Sequence, residues 1–160
     1  MSWDTQIFDS QQRLADLLNA DDYINDTNPA LKIPVVTRRV GDIARAVQEA
    51  IGKVGIVIIV MLPGSEFTGE AARIALRPKF AIMVKENPVL NQSATGTRKA
   101  AEVVIAHVIK AVHWQPNNPA LGIARQNLFQ IEKNAVQLLR PTPGDAPLTY
   151  AISVAIQINL

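Results

Sequence analysis

The residues of this chain able to do chemistry are few, and their spacing argues against most of it. His107 and His113 are six positions apart, which is not a same-face spacing on a helix. No ligand partner stands four residues from His107, and a metal site needs His, Cys or carboxylate groups converging at set spacing. Cysteine is absent, so thiolate sites and disulfides are excluded and nothing points to an oxidising compartment. His107 falls on an apolar stripe and reads as a core or interface histidine. His113 precedes Trp114 at the end of a helix, where a protonated imidazole suits the helix dipole. Ser65 sits in Pro63-Gly64-Ser65-Glu66, not in a Gly-x-Ser-x-Gly elbow. The acidic run Asp21, Asp22, Asn25, Asp26, Asn28 lacks the central Gly and terminal Glu of a calcium loop, so it reads as an exposed connection.

Two basic features remain. Ser93-Ala94-Thr95-Gly96-Thr97-Arg98-Lys99 opens a predicted helix, and a helix start of this composition can hold an anion. It has one glycine and no Gly-Lys-Ser/Thr, so it is not a phosphate loop. Thr95 or Thr97 serves better as a helix cap. Arg98 and Lys99 oppose the helix dipole, which fits an acidic partner surface. Arg38-Arg39 and Arg77/Lys79 are the other basic pairs. Aromatic residues are 5% of the chain and do not interleave with them, so base stacking is not supported. The sequence therefore reads as that of a protein with no catalytic step, no cofactor, no metal and no sequence-specific nucleic-acid partner.

The elements that position these residues follow from periodicity. The clearest is the C-terminal run Leu148–Leu160. Tyr150, Ile152, Val154, Ile156 and Ile158 alternate with Thr149, Ala151, Ser153, Ala155 and Gln157, the period of two of a strand with one apolar face. No charge occurs from Ala146 to Leu160. Such a strand must be central, covered by a helix, or paired with another chain, because a bare edge of this kind aggregates. Upstream, residues 3–19 place Ile7, Leu14, Leu17 and Leu18 on one helical stripe. Residues 33–39 read as a short strand and 42–51 as a helix that Gly52 stops. Val54–Leu62 reads as a strand apolar on both faces. Pro63–Gly69 reads as a loop, Glu70–Glu86 as a hairpin with strands either side of Arg77-Pro78, and Thr95–Val112 as a helix. Leu128–Leu139 reads as a broken strand region, and residues 140–147, with three prolines, as a linker into the last strand.

The expected order is α-β-α-β-β-β-α-β-β, an α+β fold whose largely antiparallel sheet carries the helices packed on it. At 160 residues a single domain is expected over residues 1–160, with 1–32 an N-terminal helix and polar connection and 33–160 the sheet and its helices. Apolar residues are 48%, charged residues 19% and the net charge +2. That excess of apolar over charged surface favours oligomerisation. The apolar run of nine residues from Val54 to Leu62 is far short of the roughly 20 that span a bilayer, and the N-terminus lacks the pattern of a signal peptide. A soluble, cytoplasmic protein with no membrane partner is expected.

One family shares this arrangement. Val54–Trp114 presents an apolar strand ending in Pro63-Gly64, a hairpin, then Val84-Lys85-Glu86-Asn87-Pro88-Val89-Leu90-Asn91. A Thr/Gly-rich helix start follows, then an amphipathic helix closing in His113-Trp114-Gln115-Pro116, and an alternating terminal strand completes the chain. This resembles the small α+β tail-terminator or tail-completion proteins of long-tailed bacteriophages, relatives of the lambda minor tail protein U and of the Mu-type tail proteins. Residues 1–40 match less well. The resemblance implies a structural virion protein at the head-proximal end of the tail, assembled in the host cytoplasm. It implies a homo-oligomeric ring, a hexamer, that caps the tail tube or sheath, stops its polymerisation and offers a surface to a neck or connector protein. Ser65, Glu66, Phe67, Arg77, Lys79, Arg98, Lys99 and Tyr150 are the residues expected at the tube-facing or inter-subunit surface. Two other readings fit less: a different neck connector or head-completion protein, and a small domain binding an anion through Arg38, Arg39, Arg98 and Lys99.

Overall fold

A computed structural model describes residues 3–37, 42–68, 75–113, 129–132, 136–139, 148–156 and 158–159. The fold is α+β. A mixed sheet of seven strands has the path β1-β2-β3-β6-β4, with β5 also on β6 and β7 on β3. The strands are β1 Val35–Thr37, β2 Ile56–Thr68, β3 Ala75–Glu86, β4 Gln130–Ile131, β5 Gln137–Leu139, β6 Leu148–Ala155 and β7 Ile158–Asn159. The helices are α1 Trp3–Asn19, α2 Ile43–Val54, α3 Pro88–Asn91 and α4 Ala101–His113. Every strand pairing is antiparallel except β1 with β2.

Strand alternation decides the two faces. Ile56, Ile58, Val60, Phe80, Ile82, Val84, Ile152 and Val154 join the buried side of α1 (Ile7, Leu14, Leu17, Leu18) and of α4 (Val104, Ile105, Val108, Val112) in one core. On the opposite face Val57 and Ile59 pack with Val36 and with Ala50 of α2 in a smaller cluster. Of the three arrangements open to the uncharged terminal run, its β6 part takes the central one: β6 lies between β3 and β4/β5, and Ile152 and Val154 are buried.

Several boundaries differ from the periodicity reading. Gly52 lies inside α2, and the helix is stopped by Gly55, whose φ of 79° is left-handed. A Cβ on Gly55 would stand 2.3 Å from the backbone nitrogen of Asn91, so both conformation and space require glycine. Strand β2 does not end at Leu62; it runs through Pro63-Gly64 to Thr68 and pairs with β3 across a register break between Met61 and Gly64. Arg77-Pro78 lies within β3, not between two strands. Both prolines sit where one ladder is interrupted, although Pro78 stays paired with Ser65 of β2. Pro63 is in the break, and Pro78 is one residue beyond Lys79↔Ala155, the last β3–β6 pair. The residues expected to begin the hairpin, 70–74, lie outside those described. Helix α4 starts at Ala101 rather than Thr95, because residues 93–100 are drawn into a polar corner.

Candidate functional site

That corner is built on a register argument. Phe80, Ile82 and Val84 fill alternate core positions, and the next residue on the same face is Glu86, which is buried at 3% exposure. A buried carboxylate must be hydrogen-bonded. Asn91 Nδ2 donates to one oxygen at 2.7 Å and the backbone N–H of Ala101 to the other at 2.8 Å. Ala101 is the first residue of α4, so the start of this helix, beyond the Ser93–Lys99 stretch, is bonded by the Glu86 carboxylate of the same chain.

Asn91 is fully buried and closes the network. Its amide also donates to the Lys99 carbonyl at 2.9 Å, and its Oδ1 accepts from the Thr97 hydroxyl at 2.7 Å. Helix α3 begins on an Asn87 cap with Pro88 in the first turn. Gly96 lies against it so closely that a Cβ would stand 2.1 Å from the Asn91 carbonyl oxygen.

Lys99 extends the corner towards the acidic connection after α1. Its ammonium donates to Asp26 Oδ2 at 2.9 Å and to the Tyr23 carbonyl, and lies 4.6 Å from the Tyr23 ring centroid. The Tyr23 ring stacks on His107 at 4.2 Å, and His107 Nδ1 meets Asp21 Oδ2 at 3.1 Å. Asp21 also accepts from the Tyr23 and Ile24 N–H groups. Hydrogen bonds from the Asn28 N–H and from Lys99 hold the Asp26 carboxyl below its usual range, while burial pushes the Tyr23 phenol up. His107 is thus a half-buried partner of the connection, tying it to α4. Among the described residues no group of three or more His, Asp or Glu could hold a metal ion.

The expected contact residues fall in different places. Ser65, Glu66 and Phe67 lie on the distal half of β2, in register with Pro78, Arg77 and Leu76. Arg77 and Lys79 both reach Glu132, at 3.2 and 3.8 Å. Tyr150 is half-buried, its hydroxyl donating to Glu102 at 2.9 Å, and that carboxylate raises the phenol's pKa. Arg98 is exposed, with φ 58°. Lys99 is a correction: it is buried at 7% and its charge is used inside the protomer, so it is no surface contact. Arg98 and Lys99 consequently form no shared anion cradle, and Arg38-Arg39 lie outside the described residues.

In the sequence Glu86 and Asn91 stand only as part of the motif that carries the resemblance, with no buried polar role assigned to them. The signal was present in the alternation Phe80-Ile82-Val84-Glu86, which puts a carboxylate on the core face. Equally overlooked were exposed apolar side chains: Val89 at 81% and Leu90 on α3, Val103 on α4, Val136, Leu138 and Leu139 at β5, Phe8 on α1 and Met61 on β2. No protein-family model and no curated protein matches this chain.

Proposed function

We propose that this chain is a structural ring protein of a bacteriophage tail: a terminator that caps the tail tube, stops its growth and presents a surface to the neck. The observation that carries the reading is the β2–β3 hairpin. Its strands stay paired from Ile56↔Glu86 to Thr68↔Ala75, whereas β1 pairs only with Ile58–Val60 of β2; on β3, β6 reaches Lys79 and β7 takes up Leu76 and Ala75. It is therefore β2, not β3, that extends past its other partner strand among the described residues. Along Met61–Thr68 the outer edge of β2 has no partner strand among the described residues. A paired ribbon of this kind is stiff enough to reach a neighbouring ring, and a free edge can take another strand. The resemblance to tail terminators and the exposed apolar side chains support the same reading. Head-to-tail contacts whose rotation closes would give the ring.

The test is particle mass in solution, followed by tail assembly. The expected result is a closed oligomer, six-membered by the resemblance, and tails of regulated length only when the chain is present. A variant lacking Phe67–Gly69, which removes the last two β2–β3 pairs, Phe67↔Leu76 and Thr68↔Ala75, should lose capping, with circular dichroism to check that the rest of the sheet stays folded. A monomer at the highest soluble concentration that binds neither tube nor sheath would refute the proposal. Co-purification with a portal instead of the tail would favour a head-completion protein.

A further inference from the structure

The polar corner holds α3 rigidly, yet what α3 shows to solvent is apolar. Val89 is 81% exposed and Leu90 38%, on a four-residue helix fixed by the Asn87 cap, the buried Asn91 and the close approach of Gly96. Exposed cations lie on the segments packed against α3. Lys53, exposed, ends α2, which packs on α3 at Gly55, and the Thr97 N–H donates to the Val54 carbonyl beside it. Exposed Arg98 follows Thr97.

A surface of opposite character lies elsewhere on the same chain. Residues 1–32 carry six aspartates against Arg13 and Lys32, a net charge of −4, so residues 33–160 carry +6 of the total +2. On α1, Asp4, Phe8, Gln12 and Asp16 recur every four residues and are all exposed, which makes them one stripe. Phe8, 41% exposed, is the apolar centre of an acidic strip.

We propose that the α3 knob, with Lys53 and Arg98, docks onto the Asp4–Phe8–Gln12–Asp16 stripe of a second copy. The contact is heterologous: each copy offers a knob to one neighbour and a stripe to the other, as a closed ring requires. Charge complementarity selects this occupant, because apolar centres meet while the cations face the aspartates. The inference rests on the proposed ring in one respect, that the chain associates with itself.

The experiment compares the wild type, Val89→Asp, Phe8→Asp and Asp16→Arg by analytical ultracentrifugation, with circular dichroism to check folding. Val89 and Asp16 are exposed, so these two variants should fold normally, and Asp16→Arg serves in place of Phe8→Asp should the latter unfold. Each variant alone should sediment as the 17.4 kDa protomer. A knob-defective variant mixed with a stripe-defective one has one intact knob and one intact stripe left, so the mixture should stop at a dimer. A Val89→Asp variant that keeps the wild-type mass would overturn the knob and leave the ring reading standing. A mixture that stays monomeric would overturn the assignment of α1 as its acceptor. A monomeric wild type would overturn both readings.

Discussion

Glu86→Gln is the sharpest probe of how the chain fixes its start of α4. The substitution keeps side-chain volume but replaces one acceptor oxygen with an NH2. The native carboxylate accepts from two donors, Asn91 Nδ2 at 2.7 Å and Ala101 N–H at 2.8 Å. With glutamine, one of these donors must face another donor. Loss of one buried bond to a charged acceptor costs about 1.5–3 kcal/mol. Removing the charge from the helix N-terminus adds about 0.5 kcal/mol. A loss near 3 kcal/mol should lower Tm by about 6–12 °C for a chain of this length. Chemical and thermal denaturation measure it, with Glu102→Gln as control, since Glu102 is exposed and its substitution should cost no more than about 0.5 kcal/mol. If Glu86→Gln matched that control, the view of Glu86 as the helix's own anion would be wrong.

Glycine positions give a signed pair of expectations. Gly96→Ala should destabilise by about 2 kcal/mol or more, because backbone rather than a mobile side chain blocks the new Cβ. Gly52→Ala, in an exposed helical position with open space, should stabilise by about 0.5–1 kcal/mol in the same denaturation assay. Both tyrosines of the chain, Tyr23 and Tyr150, have raised pKa values. Ultraviolet difference titration should find them ionising above the free-tyrosine value of about 10. Because the folded form holds these protons more tightly, the stability they confer is intact below about pH 10 and lost as pH rises beyond it. Asp26 has the opposite sign. Its lowered pKa contributes stability above about pH 4 that is lost as pH falls, so Asp26→Asn should flatten the acid side of the stability–pH profile.

Much of the fold was legible in the chain because burial of one face imposes a period. Ile7, Leu14, Leu17 and Leu18 marked the inner side of α1, and Tyr150-Ile152-Val154 the inner face of β6, and all but the half-buried Tyr150 are buried. The absence of charge from Ala146 onward left a central strand, a helix-covered one or one paired with another chain, and β6 is central. Contact surfaces were less legible, since exposure at Val89 or Phe8 depends on what the rest of the chain leaves uncovered. Local pattern could not place Pro63 and Pro78 within strands, because a proline breaks a ladder only where a ladder bond is due, and that depends on register with a partner distant in sequence. Nor could it give Lys99 its place: a lysine beside an arginine looks like surface charge until the fold brings up Asp26, 73 residues away. The sequence by itself determined which residues turn inward, through the hydrophobic period of each segment. Tertiary structure alone decided which buried polar groups meet, because a carboxylate such as Glu86 or an ammonium such as Lys99 is tolerated inside only where distant backbone and side chains supply its hydrogen bonds.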